Sequence, residues 1–176
     1  SGSADLHHTA VPSNNKFFDE LKLDVVHFII QQYVQTDRPT LFNPHDLQHI
    51  HYPGFFSDAQ LASRNTLYPT ACKQANVVDT PSQATKDDIV EQYDIDSSKV
   101  HPLPLGPPVN AYSDITDTDL DEVRQAYDLA SAFMFYPAKT WPHKNNLALV
   151  EAIKYVEEKY GESLYLVCTG RKTDHW

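Results

Sequence analysis

The stretch NPHDLQHIHYPGFF, 43 to 56, brings His45, Asp46, His49 and His51 close together. Imidazoles and carboxylates are ligands for a hydrolytic metal ion, and they are also the commonest general acids and bases. A metal-dependent hydrolase built on these four residues is therefore one reading. The spacing is too tight for a standard zinc site, no second carboxylate cluster accompanies it, and Pro44 and Pro53 flank it. His49 and His51 stand beside Tyr52, Phe55 and Phe56, where packing roles are expected. A second stretch, YPAKTWPHKNN (136 to 146), opens onto a helical pattern. Unpaired backbone N–H groups and the helix dipole favour anions at such a start. Trp141 and His143 within it read as loop packing.

The surrounding pattern says where these residues sit. DVVHFII (24 to 30) and PTLFN (39 to 43) read as buried strands. Helical spacing follows from Ser57 to Ala75, with Leu61, Leu67 or Tyr68, and Ala71 or Cys72 available for one face, and Pro69 is expected to kink or break that helix. NVVDT (76 to 80) is a further strand. Thr80, Pro81 and Gln83 predict the capped start of a helix reaching about Tyr93, with Ile89 and Val90 inward. KVHPLPL (99 to 105) reads as a strand that Pro102 and Pro104 confine to an edge or to its end. The proline-rich PLGPPVNAYS (104 to 113) marks a boundary. It divides the chain into a first domain at 1–106, a linker at 107–113 and a second domain at 114–176. Beyond it come a helix over 116 to 130, a strand over 132 to 137, a helix over 143 to 161 closed by Gly161, and a strand over 163 to 170. This alternation predicts two α/β units with parallel, Rossmann-like sheets, whose ligands bind at the carboxyl ends of strands. Both stretches of interest fall at such ends.

Composition removes other classes. The formal charge is -10, with 24 acidic against 14 basic side chains, and no basic run could form a nucleic-acid surface. Cys72 and Cys168 are the only cysteines, so no disulfide framework or zinc ribbon is expected, and both read as buried free thiols of a reducing compartment. No apolar run reaches the ~20 residues of a membrane span. The opening SGSADLHHTA lacks the parts of a signal peptide. A cytoplasmic protein without a transmembrane segment is the expectation.

PHDLQHIHYPGFFS, then Arg64 and Tyr68, PSQATKDDIVEQYDI, PLGPPV and YPAKTWPHKNNLALVEAI occur in order from about Leu23 to Gly170. Together they resemble the family 4 glycosyltransferases of GT-B fold, in particular the bacterial mannosyltransferase-like branch with HDLQH and WPHKN. The resemblance implies an acceptor-side and a donor-side Rossmann-like domain facing each other across a cleft. It implies retaining transfer of a hexose, by this likeness a mannose, from a nucleotide-sugar donor to a glycan or lipid-linked acceptor. Position by position, it makes His45 the histidine facing the donor sugar and Asp46 a residue of the same catalytic loop. Lys144 matches the lysine on the donor diphosphate. Lys139 falls where many members carry an arginine, with Ala138 as the alternative counterpart. A lysine supplies charge there without the bidentate fork. No cofactor is implied, because lysine at a helix N-terminus can neutralise a leaving diphosphate without a metal. The family also carries a pair of glutamates farther downstream and strands ahead of DVVHFII. Glu151 and Glu158 do not match that pair and read as a solvated helix face. The chain is thus expected to be a central portion, incomplete at both ends and inactive or impaired alone. A non-catalytic interaction module completed by a partner stays open. So does a homodimer through exposed sheet edges, since SLYLVC has no charge to guard its edge.

Overall fold

Short runs of valine, threonine and phenylalanine favour a pleated, half-buried backbone, and they form the strands here. The computed structural model describes residues 10–109 and 114–172. The chain divides into two units, 1–107 and 108–176. In the first, β1 (Val26–Phe28), β2 (Thr40–Phe42), β3 (Val77–Thr80) and β4 (Val100–Pro102) form one sheet in the order β1-β2-β3-β4, every neighbouring pair parallel. Phe28 lies opposite Phe42, Phe42 opposite Val78, and Val78 opposite Val100. Side chains alternate across a strand, so these four share one face. His27, Leu41, Asp79 and His101 share the other.

Helices α2 (Gln48–His51) and α3 (Asp58–Gln74) follow β2, and α4 (Gln83–Tyr93) joins β3 to β4. Phe42, Val78 and Val100, each 0% exposed, pack with Leu67, Tyr68, Ala71, Cys72 and Ile89 from α3 and α4. A parallel sheet alternating with helices is the Rossmann-like α/β arrangement that the sequence predicts. One helix was not expected: α1 (Asn15–Glu20) starts where the Asn14 side chain accepts from the Phe17 amide. Phe18 anchors it edge-on against Phe28.

Some local expectations need correction. The run 24 to 30 is not a buried strand throughout. Only 26–28 pairs, and Val25, Ile29 and Ile30 are 50%, 62% and 56% exposed because β1 is an edge strand. Pro69 does not break α3. Burial of Leu67, Tyr68, Ala71 and Cys72 around it outweighs the loss of one helical hydrogen bond. Thr80 does not cap α4, since it ends β3 opposite Pro102 and its carbonyl accepts from Leu103. Ser82 supplies the cap, accepting from the Thr85 amide at 3.2 Å. Cys72 is buried as expected, but Cys168 is exposed. β4 is an edge strand ending in Pro102, as proline requires.

The second unit contains α5 (Asp117–Ala126), β5 (Met134–Pro137), α6 (Asn146–Tyr160) and β6 (Leu166–Thr169). Thr116 and Asp119 close a reciprocal capping box on α5, and Gly161 ends α6 at φ 68°. β5 and β6 pair in parallel from Met134–Leu166 to Pro137–Thr169. None of this unit's described residues is buried. An open apolar hollow of about 800 Å3, lined by Val123, Tyr127, Phe133, Phe135, Tyr165 and Val167 among others, lies along it. Two strands are too few to enclose a core. Among the described residues no helix is long and apolar enough to cross a membrane.

Phe42→Ala should destabilise the first unit by about 3–5 kcal/mol, read as a lower denaturation midpoint. Hydrogen exchange should be slowest in β2, β3 and α3 and fast throughout 114–172.

Candidate functional site

β2 ends at Phe42, and the chain immediately tightens. The Asn43 side-chain oxygen accepts from the His45 amide at 2.8 Å, and the Asp46 amide donates to the Pro44 carbonyl at 2.8 Å. The second bond closes a three-residue turn centred on His45, whose φ is 63°. A γ-turn with positive φ is the rare, strained form, and a non-glycine residue held there costs on the order of 1–3 kcal/mol. His45 is partly exposed, and its Nε2 lies 3.0 Å from the Ile29 carbonyl. A carbonyl only accepts, so the proton sits on Nε2, and Nδ1 is the ring's acceptor in the neutral form.

Buried side chains brace the turn from below. Asn43 is 4% exposed and donates from Nδ2 to Asp79 Oδ2 at 2.8 Å. Asp79 is also 4% exposed, and its Oδ1 accepts from His27 Nε2 at 3.0 Å. Both carboxylate oxygens are therefore occupied, as a buried charge requires. A second brace comes from α3. Arg64 donates to Gln31 Oε1 at 3.1 Å, and Gln31 donates to the Pro44 carbonyl at 3.3 Å. The Arg64 guanidinium also lies over the rings of Phe56 and Tyr68, at 4.7 and 5.3 Å.

The four residues of the proposed metal cluster do not converge. Asp46 Oδ1 accepts from the Gln48 amide at 3.1 Å at the start of α2 and lies 4.0 Å from Arg64. His51 donates from Nε2 to the Asp88 carboxylate of α4 at 2.8 Å. His49 is 2% exposed and stands edge-on to Tyr68 and Phe56, with centroids 4.8 and 6.5 Å away. Neither of its ring nitrogens has a hydrogen-bond partner among the described residues. Burial, then the nearby Arg64 charge, push its pKa down to about 4. Among the described residues no group of three or more His, Cys, Asp or Glu is arranged to hold a metal ion.

In the second unit, Lys139 and Lys144 are both exposed near the carboxyl end of β5. Lys144 ends a 3-10 turn, Pro142–Lys144, just before α6. The Tyr136 hydroxyl donates to its carbonyl at 2.6 Å and ties the turn to β5. Asn145, at φ 51°, begins α6 without a side-chain cap, and the first turn carries no acid. At Gly170 (φ 138°) a Cβ would lie 2.4 Å from the Ala138 carbonyl, so only glycine lets the loop after β6 approach the backbone before Lys139. Trp141 and His143 contact each other, ring centroids 5.9 Å apart. Glu151 and Glu158 are exposed, and Glu158 pairs with Lys154.

No family model and no curated protein matches the chain. The geometry of its own residues must carry the functional reading. Within the first unit, His45 and Asp46 share one loop. Lys139 and Lys144 share another in the second unit. Sequence reasoning missed His27, Gln31, Asn43 and Asp79. A signal was present for two of them: His27 and Asp79 are polar residues inside otherwise apolar strand runs. Their meeting across two strands follows only from the sheet register.

The buried neutral His49 makes stability depend on pH. Its folded pKa is lowered, so the unfolded chain binds the extra proton between pH about 4 and the usual histidine value of about 6.5. The full contribution is present above pH 6.5 and is lost as pH falls toward 4, on the order of 3 kcal/mol in all. Denaturation midpoints across that window should show the loss, and His49→Phe should flatten the slope.

Proposed function

We propose that this chain is part of a retaining glycosyltransferase, transferring a hexose, mannose by the resemblance, from a nucleotide sugar to a glycan or lipid-linked acceptor. The observation that carries the reading is His45, a partly exposed imidazole in a strained turn directly beyond the carboxyl end of a parallel strand. In this reading Nδ1 of His45 accepts a hydrogen bond from a donor-sugar hydroxyl. Taken by itself, the second unit offers Lys144 and Lys139 to a diphosphate, and the uncapped start of α6 adds its N–H groups. As the bond from the anomeric carbon to the diphosphate oxygen breaks, negative charge grows on that oxygen, and these cations stabilise it. The acceptor oxygen forms the new bond to the anomeric carbon, on the face the diphosphate leaves, and passes its proton to the departing diphosphate oxygen. Asp46 orients the loop, since its carboxylate is engaged with the Gln48 amide and lies near Arg64. No metal is needed for these steps.

The test uses the full-length natural polypeptide containing this sequence. His45→Ala should lower turnover by about 100-fold or more while the melting temperature moves little. Lys144→Ala should raise the donor KM by about tenfold, an effect that shrinks at high salt. Exhaustive chelation should leave turnover within about twofold. Full activity in His45→Ala would refute the reading.

A second reading, a module completed by a partner or a second copy, is favoured by the lack of any buried residue among those described in the second unit. Both edges of its two-stranded sheet are unpaired with other strands among the described residues. Sedimentation across a range of concentrations should then show self-association. A strict monomer with a well-protected second unit would remove that reading.

A further inference from the structure

We infer that Asp79 is a positioning residue, a buried carboxylate that acts through Asn43 to hold His45 in its turn; the catalytic part of this inference rests on the sugar-transfer reading. Asn43 has one amide group, and it uses both ends. Its oxygen accepts from the His45 backbone and its nitrogen donates to Asp79. An asparagine side chain left alone can flip, and a flipped Asn43 would face the His45 N–H with a donor. Asp79 removes that choice, because an ionised carboxylate only accepts and so fixes the nitrogen toward itself. His27, donating to the other oxygen, holds the carboxylate in place. A charge-assisted bond inside the protein is stronger than a neutral one, and Asp79 is nearly sealed from water. The chain of contacts therefore runs from β1 through β3 to the end of β2, and its last link is the one residue of the turn with positive φ. Asp79 itself has no route to a sugar, being buried beneath Asn43, so its effect on chemistry is through geometry alone.

The inference can be read without any substrate. In the wild-type chain the His45 amide should exchange with solvent as slowly as the amides of β2, because Asn43 holds it; a freely exchanging His45 amide would overturn the inference. Asp79→Ala should speed that exchange by about tenfold or more, and should scramble the His45 ring tautomer seen by long-range nitrogen NMR, while α3 and α4 amides stay put. Asp79→Asn should keep both signals near wild type, since its oxygen can still accept from Asn43. If Asp79→Ala fails to fold, His27→Ala serves instead, as it keeps Asn43 and its bond to His45 but frees one oxygen of the Asp79 carboxylate, and the His45 amide should again exchange faster than in wild type. In the full-length polypeptide, Asp79→Ala should lower kcat by about tenfold with donor KM within about twofold, and Asp79→Asn should restore most of it. An unchanged His45 amide in Asp79→Ala overturns the inference whatever happens to kcat. A His45 amide that responds as expected, in a wild-type protein that transfers no sugar, leaves the positioning role standing and refutes the sugar-transfer reading instead.

Discussion

The packing of Phe42, Val78 and Val100 against α3 and α4 is the contact on which the rest of the first unit depends. Each of these three is fully buried, and they come from three neighbouring strands in register. Because a strand's side chains alternate, burying this row settles which residues face the other way. His27 and Asp79 are among them. A slip of one residue in β3 would turn Asp79 into the helix-packed core and Val78 out of it. The polar brace under His45 is thus a by-product of the apolar row on the opposite face.

Parallel pairing adds the second constraint. All four strands of the sheet run the same way, so their carboxyl ends lie along one edge. The loop after β2 leaves that edge, and there a three-residue turn closes on His45. The strain at His45 is tolerated because the surroundings over-determine it: Asn43 holds its amide, Ile29 holds its ring, and Gln31 with the Asp46 amide holds the preceding carbonyl. The aromatic lining of α3 contributes from the other side. Tyr68 meets both Phe42 in the core and His49 of α2. Arg64, spread over Phe56 and Tyr68, connects that lining to Gln31.

The second unit shows what happens when no such row is covered. Its strands pair in parallel, α5 starts on a capping box and α6 ends on Gly161. Local rules are satisfied. Yet Phe135 is 56% exposed and Tyr165 is 63% exposed, so the unit is held by hydrogen bonds, caps and the Gly170 contact more than by buried apolar area. Hydrogen bonding alone contributes little net stability.

Much of the fold was legible from sequence because it rests on local rules: strand runs, the helix beginning near Thr116, the Gly161 stop, the edge proline of β4 and the alternation that makes an α/β unit. The motif loops were legible as well, since His45, Asp46, Lys139 and Lys144 stand in distinctive short stretches at strand or helix ends. Other features depended on contacts distant in sequence. Pro69 continues a helix because tertiary burial outweighs its local penalty. Thr80 is a strand residue because β4 arrives beside it. Most of all, sequence reading identified His45 as a chemical group but gave no reason for its geometry. That geometry needs His27, Asn43 and Asp79, which are far apart along the chain and meet only when three strands adopt one register. Only the tertiary structure sets that register, because it is decided by which apolar face finds helices to cover it.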